Sequence, residues 1–201
     1  AEQSGLIFPL TEWVLRKAVE TAAVWRALGW DLNIAVNLSA RLLHHERILS
    51  LVTEPLGQWE YPPECLTLEI TETVEMRDWR QAQDVISKVR DIGARISIDD
   101  FGTGYSSLSY LKQLHTNTLK IDRSFLQHCH DSEKSVRVVA AIIAMAQELN
   151  LEVIAEGIEQ PEQEQGLRRL GCQLGQGFVF SRPVAAAHLP ELFQSAAGNH
   201  G

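Results

Sequence analysis

Apolar residues recur along this chain in two alternating rhythms. Over residues 9–28, Leu10, Val14, Leu15, Ala18, Ala22 and Trp25 fall at helical spacing, and Gly29 marks the stop. Residues 31–38 alternate at period two and predict a strand, with Ser39 as the N-cap of a helix over 40–53. The rhythms then trade places. Strands are expected over 66–71, 94–99, 118–122, 151–156 and 177–180. Helices are expected over 78–92, 135–150 and 161–170, with short ones near 107–113 and 188–194.

Six strands alternating with helices are the signature of parallel βα units, built as an open doubly wound sheet or as a (β/α)8 barrel. The strand interiors choose between them. Ile34, Val36 and Leu38 oppose Ala35 and Asn37, and Leu66, Leu68 and Ile70 oppose Thr67, Glu69 and Thr71. Ile96 and Ile98 oppose Ser97 and Asp99; Leu119 and Ile121 oppose Thr118, Lys120 and Asp122; Val153 and Ala155 oppose Ile154 and Glu156. A sheet covered by helices on both sides needs two apolar faces. A barrel admits a polar inner face at its C-terminal mouth. The reading is a TIM-like (β/α)8 barrel, one domain over 1–201. It is N-terminally incomplete, with about six of eight strands and two exposed strand edges.

Composition narrows this little. At 201 residues, 45% hydrophobic and 22% charged, with a mean hydropathy of -0.11, the chain has the make-up of an ordinary soluble, cytoplasmic domain. No stretch approaches the ~20 apolar residues that span a bilayer. Cys65, Cys129 and Cys172 are widely spaced and form no Cys-x-x-Cys pair, which argues against a disulfide framework or structural zinc. The net charge of -8 argues against DNA or RNA polymers and anionic membranes as partners. It leaves room for a small anionic substrate, handled with divalent cations.

The candidate chemistry lies at the strand mouths: Asn37, Glu69, Asp99, Asp100, Lys120 and Glu156, with Glu72 and Glu159 three residues beyond two of them. Hard oxygen donors in this number suit Mg²⁺ or Mn²⁺ rather than zinc. Two such ions would clamp the attacking and leaving oxygens of a phosphoryl displacement, with Lys120 as a cation at the reacting centre. Taken singly, each residue reads as readily as a helix cap, a surface charge or an ion-pair partner. Polar groups at the same end of five successive strands are harder to explain that way. His44, His45, His115, His128 and His130 read as surface groups, and the tryptophans as packing.

The most specific string is Asp99-Asp100-Phe101-Gly102-Thr103-Gly104-Tyr105-Ser106-Ser107-Leu108, two glycines beside a carboxylate pair. With Asn37-Leu38-Ser39, Glu69-Ile70-Thr71-Glu72, Lys120-Ile121-Asp122, Glu156-Gly157-Ile158-Glu159 and Gln176-Gly177-Phe178, it resembles, in order, the motifs of the EAL-domain family. These are bacterial phosphodiesterases that cut cyclic di-GMP to linear pGpG on a modified TIM barrel, with two Mg²⁺ or Mn²⁺ ions. The resemblance implies that Asn37, Glu69 and Asp99 hold the first ion, and that Asp99 bridges to a second beside Asp100. It implies that Lys120 orients the hydrolytic water, that Glu156 is the general base or holds the water, and that Glu72 anchors the loop after Asp100. Asp122, Glu159 and Gln176 would be further water or substrate contacts, and Phe178, Ser181, Arg182 and Pro183 would lie near the guanine pocket. It further implies a homodimer and a parent protein with fused GGDEF or sensor domains, which can be membrane-anchored elsewhere.

The Glu-Ala-Leu string that names the family occurs nowhere in the chain. Because every later motif is intact, the expectation is that it lies upstream of Ala1 and has not degenerated. Two other functions fit the residues: a catalytically inactive cyclic di-GMP receptor or regulatory interaction module, and a metal-dependent lyase or enolising barrel. The lyase leaves the 100–108 string without a role.

Overall fold

The computed structural model describes residues 5–72, 79–102, 111, 114–127 and 132–198. Period-two alternation becomes a division between two faces. Strands β1 (Ile34–Asn37), β2 (Leu66–Thr71), β3 (Arg95–Phe101), β4 (Thr118–Ile121), β5 (Glu152–Glu156) and β6 (Leu174–Gln176) form one parallel sheet in chain order. Val36, Leu66, Leu68, Ile70, Ile96, Ile98, Leu119, Ile121, Val153 and Ala155 alternate onto its outer face, and each is at most 9% exposed. Each large side chain buried this way is worth about 1.5–3 kcal/mol.

The covering layer consists of the helices Ile7–Ala27, Ile48–Gln58, Trp79–Asp91, Glu133–Glu148 and Pro161–Arg169. They bury Leu15, Val19, Val52, Leu56, Ile86, Val89, Val139, Ile143 and Leu167 in the same core. Glu69, Ser97, Asp99, Thr118, Lys120 and Glu156 alternate onto the inner face. The result is the expected TIM-like half-barrel. Among the described residues β1 and β6 are its two edges.

Several boundaries differ from expectation. The helix expected over 40–53 is two elements, a 3-10 turn Ala40–His44 and the helix Ile48–Gln58. Ile48, Leu51, Val52, Pro55 and Leu56 share one helical stripe, but Leu42 and Leu43 fall outside it. The break at His45–Arg47 resets the phase so that both groups are buried. Ser39 precedes the 3-10 turn but makes no side-chain cap hydrogen bond there.

The last strand is Leu174–Gln176 rather than 177–180. The Phe-Val-Phe run has strand propensity, yet it turns around Ile158, whose carbonyl accepts the Val179 N–H at 3.0 Å. A Cβ at Gly177 would lie 2.0 Å from that carbonyl oxygen, so only glycine admits this approach.

The closing helix runs Leu189–Gly198 behind a turn at Ala186–His188. The helix expected near 107–113 lies outside the described residues except for Leu111, which is buried. His44 and His45 are half-buried, against expectation, and His45 stacks on Phe8 at 4.2 Å. His115 is exposed, whereas His128, Cys129 and His130 lie outside the described residues. Cys65 and Cys172 are free thiols, half-buried and buried. No described helix is long and apolar enough to cross a membrane.

Candidate active site

Lys120 is the centre of the polar face. Its position in β4 directs the side chain inward, where only 5% of it is exposed. Its ammonium lies 2.8 Å from Glu69 Oε1, 3.2 Å from Asp99 Oδ1 and 2.6 Å from Glu156 Oε1. Side chains from four consecutive strands therefore meet at one point. Burial alone would lower the Lys120 pKa, but the hydrogen bonds to Glu156 and Glu69 outweigh it and hold the amine above the usual lysine range.

Two adjacent aspartates on a regular strand would point to opposite faces. Here β3 departs from regularity. Ile98 pairs with Leu119 and Phe101 with Ile121, so β3 carries one residue more than β4 across this interval. Asp100 absorbs the extra residue in the left-handed region at φ +55°, and Gly102 follows at +95°. The irregularity lets both carboxylates serve one site: oxygens of Asp99, Asp100 and Glu156 all lie within 4.8 Å of one another. The sequence reading missed this bulge. Its signal is the pairing of an aspartate, which tolerates the left-handed region, with a glycine two residues on.

Burial pushes the Asp100 carboxyl up, and the charges of Asp99 and Asp122 add to that against the pull of Lys120. Glu156 is pushed up to about 7, again first by burial and further by Asp99, while its bond to Lys120 opposes the shift. These crowded hard oxygens resist holding a full set of charges without a cation. Such hard oxygen donors suit a divalent cation, and Asp99, Asp100 and Glu156 could hold one.

The remaining expected residues spread around this centre. Asn37 ends the edge strand β1, exposed and in register with Glu69. A cleft of about 870 Å³ opens beside it, lined by Ser39, Arg41, His44 and Thr71 and by Leu10 and Val14 of the first helix. Glu72 Oε2 accepts the Gly102 N–H at 2.6 Å, and the Glu72 N–H donates to the Asp99 carbonyl at 3.1 Å. That ties the end of β2 to the start of the loop after β3. A side chain at Gly102 would collide with the Phe125 ring, 2.4 Å from a Cβ.

Asp122 caps the helical turn Arg123–Leu126 by accepting the Ser124 N–H at 3.0 Å. Burial opposes its charge, yet this hydrogen bonding holds the carboxyl below the usual range. Gln176 ends β6 opposite Glu156 and is exposed, as is Glu159. The Arg182 guanidinium lies over the Phe178 ring at 4.6 Å, and Pro183 is exposed beside it. Glu159 lies past the end of β5, and Phe178, Arg182 and Pro183 lie past the end of β6. The buried Gln163, unremarked in the sequence, joins the loop after β5 to the turn after β4.

Comparison with known proteins agrees with this geometry. The family model for the EAL domain matches residues 1–183. The bifunctional diguanylate cyclase/cyclic di-GMP phosphodiesterase MucR of Pseudomonas aeruginosa is 44% identical over 94% of this chain and 28% of its own length. Cyclic di-GMP phosphodiesterase PdeR of Escherichia coli is 40% identical over 92% of the chain and 28% of its own. The chain thus spans roughly a quarter of these relatives. The solved MucR phosphodiesterase in complex with c-di-GMP superposes with a TM-score of 0.89 at 43% identity, over 94% of this chain and 77% of that one. With a parallel half-barrel, carboxylates gathered around a buried lysine, and a family match over most of its length, the chain belongs to the EAL-domain family.

Proposed function

We propose that the chain carries the hydrolytic face of a cyclic di-GMP phosphodiesterase that opens the cyclic dinucleotide to linear pGpG with two Mg²⁺ or Mn²⁺ ions. The observation that carries this is the convergence of Asp99, Asp100 and Glu156 oxygens within 4.8 Å, beside the Lys120 ammonium, in an EAL domain. The names of MucR and PdeR support the substrate.

Asn37, Glu69, Asp99 and Asp100 would hold the ions. Bound there, divalent ions would neutralise the phosphodiester charge and make water a better nucleophile near neutral pH. The chain's own part is to orient and to move protons. Glu156, held among these groups by Lys120, takes a proton from the attacking water as the water oxygen bonds to phosphorus. The P–O3′ bond breaks and the departing 3′ oxygen takes a proton from solvent, leaving one 5′-phosphate and one free 3′-hydroxyl. Lys120 keeps Glu156 aimed at the centre and supplies fixed positive charge beside the phosphate. Glu72 holds the loop after Asp100 in place through Gly102, and the Phe178–Arg182 pair offers an aromatic and cationic surface for a base.

The test is incubation of the full-length protein with cyclic di-GMP and Mn²⁺, followed by chromatography and mass analysis. A product heavier by one water and abolished by EDTA supports the reading. Binding of intact cyclic di-GMP without turnover would replace it with a receptor.

A further inference from the structure

We infer that Gln163 is a positioning residue for Glu156, a clamp that fixes the mouth of β5 against the mouth of β4. The inference rests on the hydrolytic reading of Glu156 and Lys120 given above. The β4–β5 register ends at Ile121 opposite Ala155, so Glu156 lies one residue past the last pair that ties it to the strand bearing Lys120. On its other side Glu156 still pairs with Gln176 of β6, so only its position relative to β4 is left to the segment Gly157 to Gln160. On the side facing β4, the Gln163 side chain holds that segment.

Gln163 is 5% exposed. Its Oε1 accepts the Glu159 N–H at 2.9 Å and the Gln160 N–H at 3.0 Å. Its Nε2 donates to the Leu126 carbonyl at 3.1 Å, across 37 residues of sequence. Leu126 ends the helical turn that begins directly after Lys120-Ile121-Asp122. The same two segments touch a second time. Gly157 adopts φ +69°, and a Cβ there would lie 2.5 Å from the Arg123 Cβ.

The first pair of hydrogen bonds could serve merely to start the helix Pro161–Arg169. The third has no part in a helix cap, because it joins a different element. A buried amide with partners on both sides of the Lys120–Glu156 contact holds that contact at 2.6 Å. Displacement of a reacting group by about 1 Å can cost about a hundredfold in rate.

The experiment compares Gln163→Leu with Leu167→Ala, a core truncation one turn further along the same helix. Steady-state hydrolysis of cyclic di-GMP, thermal melting and amide hydrogen exchange are measured on each. Gln163→Leu should lower kcat about tenfold or more with KM within about threefold. It should also raise exchange both in 157–163 and in 123–127. Leu167→Ala should lower the melting temperature at least as much while keeping kcat within about twofold.

A Gln163→Leu variant that keeps wild-type kcat, or whose faster exchange stays within 157–163, would reduce Gln163 to a helix cap and overturn the inference. Wild-type protein that hydrolyses nothing would overturn the hydrolytic reading instead. The exchange pattern would still decide whether the clamp exists.

Discussion

An ammonium with almost no access to water, facing carboxylates from Glu69, Asp99 and Glu156, keeps those groups together when no metal does. Lys120→Met keeps the bulk of the stem and removes the charge. In EDTA the variant should lose about 3 kcal/mol in urea denaturation, the cost of leaving buried charges uncompensated. The loss should shrink when Mn²⁺ is added. An equal loss with and without metal would place Lys120 outside the carboxylate site.

The same crowding makes stability depend on pH. The folded-state pKa of Glu156 is raised from 4.5 to about 7, so the native chain holds this proton more tightly than the unfolded chain. That contribution is full below 4.5 and is lost as pH rises through 7. Asp100 is displaced in the same direction. Melting in EDTA should therefore show the metal-free chain less stable at pH 8 than at pH 5.5. A melting temperature that climbs across that window would refute the assignment.

At the scale of the element, the irregularity in β3 does what no regular strand can. Asp100 sits at φ +55°, a conformation that costs a residue with a Cβ about 1 kcal/mol and glycine almost nothing. Asp100→Gly should therefore be more stable than Asp100→Ala by about that amount, while both lose Mn²⁺ affinity alike. Equal stability would mean that β3 does not hold the left-handed turn.

This feature also marks the limit of sequence reading. Alternation was enough to place Glu69, Asp99 and Lys120 on one face, because burial of Leu68, Ile98 and Leu119 behind them fixes the register. Alternation would have sent Asp100 to the opposite face, since pattern carries no information about an inserted residue. The tie between Glu72 and Gly102, implied by resemblance, needs the ends of β2 and β3 side by side before it exists. Gln163 gave no signal at all. Its partners are backbone groups, one of them 37 residues away, and a helix-starting glutamine looks like any other. The misplaced last strand has the same origin: contact with Ile158 overrode the local propensity of Phe178, Val179 and Phe180.

At the scale of the molecule, metal binding and folding should be one equilibrium. Asp99 and Asp100 come from β3 and Glu156 from β5 of a single parallel sheet, so no unfolded segment holds all three together, and an ion that binds only the folded sheet stabilises all of it. At a free Mn²⁺ concentration a hundredfold above the dissociation constant, the gain is about 2.7 kcal/mol. For a chain of this size, 1 kcal/mol moves the melting temperature by about 2–4 °C, so the expected rise is roughly 5–11 °C. The net charge of -8 adds a weak, salt-sensitive attraction for any cation, so the comparison belongs at about 0.15 M salt with Ca²⁺ and Mg²⁺ alongside. Asp99→Ala removes a carboxylate that faces both Lys120 and the other acidic groups, and should erase the Mn²⁺-induced rise while leaving the outer-face core untouched. A variant that still gains the full shift would mean that the ion binds elsewhere, and that the strand mouths are held together by Lys120 alone.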